Sequence, residues 1–216
     1  MKIFLDTSDV DVIRQHCETG MIDGITTNPT LMMQAGRNPV EVIKEISSLF
    51  PDNASISAEV VGDTAEEMVS QAKDYHSISK NITIKVPCTV QGLRACKTFS
   101  DKGIPVNVTL IFSLEQALLS AKAGATYVSP FIGRCEDNNI DGIDLIKSIK
   151  KVYNMNNIST NILAASIRNV PHVGQAFEVG ADVVTLPPSI FEEMYKHDLT
   201  DQGIKQFDKD WKKLNS

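Results

Sequence analysis

No Gly-x-Gly-x-x-Gly follows any strand-like run of this sequence, so the usual dinucleotide-binding fingerprint is missing. Positive charge is not in excess either. The chain carries 21 lysines and arginines against 27 aspartates and glutamates, a formal net charge of -6. That balance offers no basic field for nucleic acid, and any phosphate it binds should be small and met by local groups. No apolar window approaches the roughly twenty residues of a membrane span, and the chain enters an apparent strand from its first residues. No membrane partner and a cytoplasmic location are expected. Cys17, Cys88, Cys96 and Cys135 form no Cys-x-x-Cys pair, which fits reduced thiols better than a disulfide framework. His16, His76, His172 and His197 lack metal-ligand spacing, and no metal site is expected. No linker rich in proline, glycine or serine divides the chain, which reads as one domain.

What is present is an ordinary globular balance, 42% hydrophobic and 22% charged, in 216 residues. Short runs rich in β-branched residues alternate with longer helical patterns, the signature of βα units and a parallel sheet. Eight such runs occur: Lys2 to Leu5, Gly24 to Thr27, Ser55 to Val60, Ile82 to Val86, Pro105 to Val108, Thr126 to Ser129, Ile162 to Ala165 and Asp182 to Thr185. Between them, Ser8 and Asp9 cap one helix and Thr64 to Glu67 makes a capping box, while Gly124 and Gly180 read as helix stops. The expected fold is α/β, a single (β/α)8 TIM barrel over 1–199; an open doubly wound sheet is the alternative. Residues 200–216 add a C-terminal helix with Ile204, Phe207 and Trp211 on one face, an apolar stripe suited to the barrel or, preferentially, to a neighbouring subunit.

The odd residue among the strands is Lys85, set between Ile84 and Val86. Taken alone, a lysine there belongs at the surface. Its neighbours point elsewhere. Near the C-terminal strand ends stand Asp6; Thr26 and Asn28; Ser57 and Glu59; Thr83 and Lys85; Asn107 and Thr109; Ser129; and Ser166 and Arg168, each pair two residues apart. Residues two apart share a strand face, and the inward face at the C-terminal mouth is where barrel chemistry is found. Such a lining suits a polyhydroxylated substrate, with Arg134 joining Ser166 and Arg168 around a phosphate. A lysine in that mouth can form a Schiff base with a carbonyl.

With these residues in place the sequence resembles the transaldolases, specifically the short-chain group that includes fructose-6-phosphate aldolase. The resemblance spans essentially the whole chain. It rests on Phe4-Leu-Asp-Thr, Gly24-Ile-Thr-Thr-Asn-Pro-Thr, Ile84-Lys-Val-Pro, Val106-Asn-Val-Thr, Ser129-Pro-Phe-Ile-Gly-Arg and Ala165-Ser-Ile-Arg. It implies a cofactor-free, class I transfer of a dihydroxyacetone unit from sedoheptulose 7-phosphate to glyceraldehyde 3-phosphate, giving erythrose 4-phosphate and fructose 6-phosphate in the pentose phosphate pathway. By the same resemblance Lys85 is the nucleophile, Asp6 the acid/base, and Glu59 with Thr109 hold a water. Thr26, Asn28, Asn107, Ser129 and Phe131 line the donor site, and Arg134, Ser166 and Arg168 hold the phosphate. The aldolase carries Gln and Tyr where this chain has Glu59 and Phe131, which favours the transferase. The short group also implies a homo-oligomer, a decamer of two five-membered rings. The alternatives are fructose-6-phosphate aldolase, releasing free dihydroxyacetone, and a non-catalytic sugar-phosphate-binding barrel.

Overall fold

Alternate residues on each β-branched run face opposite ways, and the two faces of this sheet differ sharply in chemistry. The computed structural model describes residues 1–214. Its strands are β1 Lys2–Asp6, β2 Gly24–Thr26, β3 Ser55–Glu59, β4 Ile82–Pro87, β5 Val106–Ile111, β6 Tyr127–Pro130, β7 Asn161–Ala164 and β8 Val183–Leu186. The helices are α1 Val10–Cys17, α2 Pro29–Ala35, α3 Pro39–Ser48, α4 Ala65–His76, α5 Val90–Ser100, α6 Leu114–Lys122, α7 Ile132–Asp137, α8 Gly142–Met155, α9 Val170–Glu178, α10 Pro188–Glu193 and α11 Asp198–Leu214. All strand pairings are parallel, and β8 pairs with β1 to close the barrel in sequence order. The open doubly wound alternative is thereby removed.

The outward strand residues, such as Leu5, Ile25, Ile56, Ile84, Val108, Val128 and Val184, are wholly buried beneath the helices. They join the helix faces in one apolar layer. A second, smaller apolar cluster of Phe4, Tyr127, Leu163, Ala165 and Val183 sits apart from that layer. It is the floor inside the barrel, with the Phe4 and Tyr127 rings edge to face at 6.1 Å. Gly24 makes room for it. A Cβ there would lie 2.4 Å from the Ser55 carbonyl oxygen and 2.8 Å from the Phe4 ring.

Helix starts follow their caps. Asp9 accepts from the Asp11 and Val12 amides, and Thr64 with Glu67 forms the reciprocal box expected from the sequence. Gly124 and Gly180 follow the ends of α6 and α9 in left-handed conformations.

All eight expected strands form, with ends displaced by up to three residues. One displacement matters for the site. Ser166 and Arg168 do not share a strand face, because β7 ends at Ala164 and Ser166 has a φ of +59°. A left-handed turn, not strand alternation, orients that loop. Along β5 the register shifts between Val108 and Ile111, where Leu110 has a φ of +61°; Thr109 stays buried within the barrel lining and Ile111 joins the outer layer.

The terminal helix begins at Asp198, two residues before the expected Thr200. His197 Nδ1 accepts from the Leu199 amide at 3.2 Å, and its carbonyl takes the Thr200 and Asp201 amides. Asn215 and Ser216, included in the expected helix, lie outside the described residues. None of the described residues of α11 is buried, and Phe207 and Trp211 are 74% and 68% exposed. Its apolar stripe does not cover the barrel that carries it.

Candidate active site

A lysine between two outward-facing isoleucine and valine side chains has only the barrel interior to enter. Ile84 and Val86 are fully buried in the outer layer, and Lys85 is inside with 5% exposure. The strand register then decides its neighbours, for Glu59 of β3 and Asn107 of β5 sit directly beside Lys85. Lys85 Nζ lies 2.9 Å from Glu59 Oε2 and donates to the Thr27 carbonyl oxygen at 2.8 Å. Two of the ammonium's three donors are thereby met. A buried cation held this way is stable only as long as its partners are present, since an unpaired charge in the interior costs several kcal/mol.

Asp6 stands at the end of β1, deep in the barrel and open to the cavity. Its Oδ1 accepts from Thr26 Oγ1 at 2.7 Å, and Thr26 in turn shares a hydrogen bond with Thr185 Oγ1 at 2.7 Å. Burial pushes the Asp6 carboxyl above the usual carboxylate range; the Lys85 charge and the Thr26 hydroxyl pull it back only in part. A carboxyl so placed takes up and gives back protons more readily than a solvated aspartate does.

On the opposite wall, Ser129 Oγ donates to Asn107 Oδ1 at 2.7 Å, and Asn107 Nδ2 donates to Ser57 Oγ at 3.3 Å. Thr109, two residues along β5 from Asn107, has a buried Oγ1 with no hydrogen-bond partner among the described residues. A buried hydroxyl pays for its desolvation unless a ligand or water meets it, so Thr109 is the atom of the lining best prepared to receive one.

These groups enclose a cavity of about 140 Å³, lined by Asp6, Thr26, Asn28, Lys85, Asn107, Thr109, Ser129, Phe131, Arg134, Ser166 and Thr185 with the floor residues Leu163 and Ala165. Eleven sequence-derived candidates were expected to meet here besides Glu59, and ten of them do. Glu59, 13% exposed, reaches Lys85 from the side and lines a neighbouring hollow of about 350 Å³ between α2, α3 and α4. The eleventh candidate, Arg168, is absent from the lining. Its Nη2 donates to Asp137 Oδ2 at 2.6 Å at the rim. Asn28 serves twice, for its Oδ1 also caps α2 through the Leu31 amide. The Arg134 guanidinium lies 5.0 Å from the Phe131 ring centre, a cation–π arrangement that holds it over the mouth.

Across residues 3–216 the chain matches the family model described as Transaldolase/Fructose-6-phosphate aldolase. The chain belongs to this family. Family relatives include a "Probable transaldolase" of Caulobacter vibrioides (strain NA1000 / CB15N), 53% identical over 98% of this chain and 96% of that one. Another "Probable transaldolase", from Paracoccus denitrificans (strain Pd 1222), is 50% identical over 99% and 97% of the two chains. Among solved structures, a thiamine phosphate pyrophosphorylase from Pyrococcus furiosus superposes with a TM-score of 0.61 at 17% identity, covering 86% of this chain and 85% of the other. At that identity the likeness concerns the fold alone.

Two members of the candidate site escaped sequence reasoning. Thr185 shares the inward face of β8 two residues after Val183, so the spacing rule already contained it. The Thr27 carbonyl, acceptor for Lys85, is backbone and leaves no side-chain signal.

Proposed function

We propose that the protein is a transaldolase that passes a dihydroxyacetone unit between sugar phosphates through a Schiff base on Lys85. The observation that carries this reading is a barrel-interior lysine in hydrogen-bond contact with Glu59, with the Asp6 carboxyl on the same cavity. Only a neutral amine attacks a carbonyl, and the 2.9 Å contact gives the Lys85 proton a direct route to Glu59. The amine adds to the C2 ketone of the donor. Proton return from Glu59, through a water also held by Thr109, lets the carbinolamine lose hydroxide as water and leaves a protonated imine.

Asp6 then takes the proton of the C4 hydroxyl. The C3–C4 bond breaks, its electron pair flows into the imine to give an enamine, and the C4 carbon leaves as the aldehyde of an aldose phosphate. Addition of the enamine to a second aldose phosphate reverses these steps, with Asp6 returning the proton to the new alkoxide. Asn28, Asn107 and Ser129 hold the donor's hydroxyls, while Arg134, Ser166 and Arg168 meet the phosphate. In this reading sedoheptulose 7-phosphate and glyceraldehyde 3-phosphate give erythrose 4-phosphate and fructose 6-phosphate.

Borohydride reduction in the presence of fructose 6-phosphate is expected to fix a three-carbon unit on Lys85, read by peptide mass spectrometry; an unmodified Lys85 in active enzyme would refute the mechanism. Fructose 6-phosphate turnover should also depend on an acceptor aldose phosphate. Turnover indifferent to the acceptor would assign the protein to the aldolase side of the family instead.

For the assembly, we propose a homo-oligomer, a decamer of two five-membered rings, in which α11 lays its Ile204, Phe207 and Trp211 stripe on a neighbour. A helix of this length with no buried face is poorly supported by its own barrel. Joint replacement of these three residues by alanine is expected to lower the mass seen by light scattering. An unchanged mass would remove α11 from the interface.

A further inference from the structure

We infer that Asp137 is a positioning residue that parks Arg168 at the rim of the mouth and is displaced by the substrate's phosphate. The inference rests on the phosphate reading of Arg134, Ser166 and Arg168 given above. Its starting point is the unequal treatment of the two arginines. Arg134 lines the cavity and leans on the Phe131 ring, whereas the Arg168 guanidinium is turned away to Asp137 Oδ2 at 2.6 Å.

The route Arg168 takes is built into the backbone. At Gly133, in the first turn of α7, an added Cβ would come within 2.5 Å of the Ser166 carbonyl oxygen, 2.6 Å of Arg168 Nε and 2.7 Å of Arg168 Cγ. The arginine stem therefore lies flat across a residue that must be glycine, flanked by the cavity residues Arg134 and Ser166. From there the guanidinium runs to the last turn of the same helix. To meet a phosphate beside Arg134 and Ser166, the outer bonds of this exposed stem must turn the guanidinium back from Asp137.

The acceptor is oddly placed for a purely structural role. Glu136 and Asp137 put two carboxylates at the C-terminal end of α7, the end where helix electrostatics favours cations. Asp137 reaches across to the loop after β7, and Glu136 to α9, which follows that loop. Glu136 Oε2 lies 3.2 Å from His172 Nε2, while His172 Nδ1 accepts from the Arg168 amide at 3.4 Å. The loop backbone is also tied to α7, through Ile132 N–H to the Ala165 oxygen at 2.9 Å and Gly133 N–H to the Ser166 oxygen at 3.0 Å. The backbone of Arg168 is thus fixed independently of Asp137, and among the described residues its guanidinium has the Asp137 ion pair to exchange.

That contact is easily exchanged. Arg168 and Asp137 are 53% and 54% exposed, so solvent screens the pair and it holds weakly. A phosphate dianion beside Arg134 offers two oxygens to the same guanidinium fork and a larger charge. Asp137 therefore acts as a competitor: it keeps a second cation off the cavity until phosphate arrives, and it takes Arg168 back when the product leaves.

The test is a double-mutant cycle on Asp137→Asn and Arg168→Ala, with fructose 6-phosphate and its unphosphorylated counterpart, fructose, as donors. Asp137→Asn is expected to lower KM for fructose 6-phosphate about two- to fivefold, the range an exposed pair converts to. It should leave KM for fructose unchanged and have no effect in the Arg168→Ala background. An unchanged or raised KM, or an equal change in both backgrounds, would overturn the inference. If Arg168→Ala itself leaves KM for fructose 6-phosphate unchanged, Arg168 is no phosphate ligand and the inference falls with that assignment. Should the protein show no turnover, the transaldolase reading fails separately. Calorimetry with inorganic phosphate then reads the same cycle, with tighter binding by Asp137→Asn expected and equal binding overturning it.

Discussion

Replacing Lys85 with arginine or with methionine is expected to lower kcat by on the order of 10⁴-fold or more, about 5.5 kcal/mol of lost transition-state stabilisation. The two variants separate two roles that one substitution would confuse. Arginine keeps a cation beside Glu59 and can still donate toward the Thr27 carbonyl, but its guanidinium does not become a neutral amine near pH 7. Methionine keeps the apolar stem and removes the charge. If Lys85 served only as an electrostatic partner of Glu59, arginine would retain much of the activity and methionine would not. Equal, near-complete loss in both, together with the disappearance of the borohydride-trapped adduct, is the expected result. A Lys85→Arg enzyme with more than about a hundredth of the parent kcat would show that no covalent step runs through this residue.

Replacing Asp6 with asparagine is expected to cost activity and to add stability. In the proposed mechanism Asp6 is the proton acceptor for the reacting hydroxyl, and its loss is expected to lower kcat by about 10²- to 10⁴-fold. Asparagine can still accept the Thr26 hydrogen bond through its own Oδ1. Stability moves the other way because the Asp6 carboxyl titrates above its ordinary value of 3.8, chiefly through burial. A carboxyl whose folded pKa is raised contributes its full stability below the unfolded pKa, and that contribution is lost as pH rises through the folded pKa. Below about pH 4 the parent and Asp6→Asn should therefore melt together. As the pH rises from there toward neutrality the variant should melt progressively higher, by about 2–4 °C for each kcal/mol involved in a chain of this size, and then hold a constant margin. Thermal melts of both proteins from pH 3.5 to 8 check this. A variant less stable than the parent at neutral pH would mean that attraction between Asp6 and Lys85 outweighs burial.

These two residues also show how sequence and structure divided the problem. Asp6 and Lys85 were legible because each sits in a run whose outward neighbours, Leu5 in one case and Ile84 and Val86 in the other, are unambiguously apolar. Alternation with a period of two then sends the polar residue inward, and the same rule assigns Thr26, Asn107, Thr109 and Ser129. Thr185 follows that rule as well, although it was not singled out. Helix caps are equally local: Asp9, Thr64 and Glu67 act within four residues of their own positions, so their hydrogen bonds could be read directly from spacing.

Alternation fails wherever the chain leaves the strand. Ser166 lies in the cavity lining because its backbone turns left-handed, and Arg168 points to Asp137 because α7 delivers a carboxylate from thirty-one residues away. Neither a positive φ at a serine nor a contact between a loop and a helix end has a sequence period, since both are settled by how α7 packs against the end of β7. The α11 stripe was plain in the sequence, but only the tertiary structure shows that its own barrel leaves it uncovered. Alternation and local capping mark out the eight strands and the inward set on them, whereas the choice of a closed barrel over an open sheet came with the pairing of β8 to β1. Which oxygen meets Lys85, how deep burial presses on Asp6, and where Arg168 rests were decided by tertiary packing, which sets the register of β3 against β4, encloses Asp6 in the barrel and lays the loop after β7 across α7.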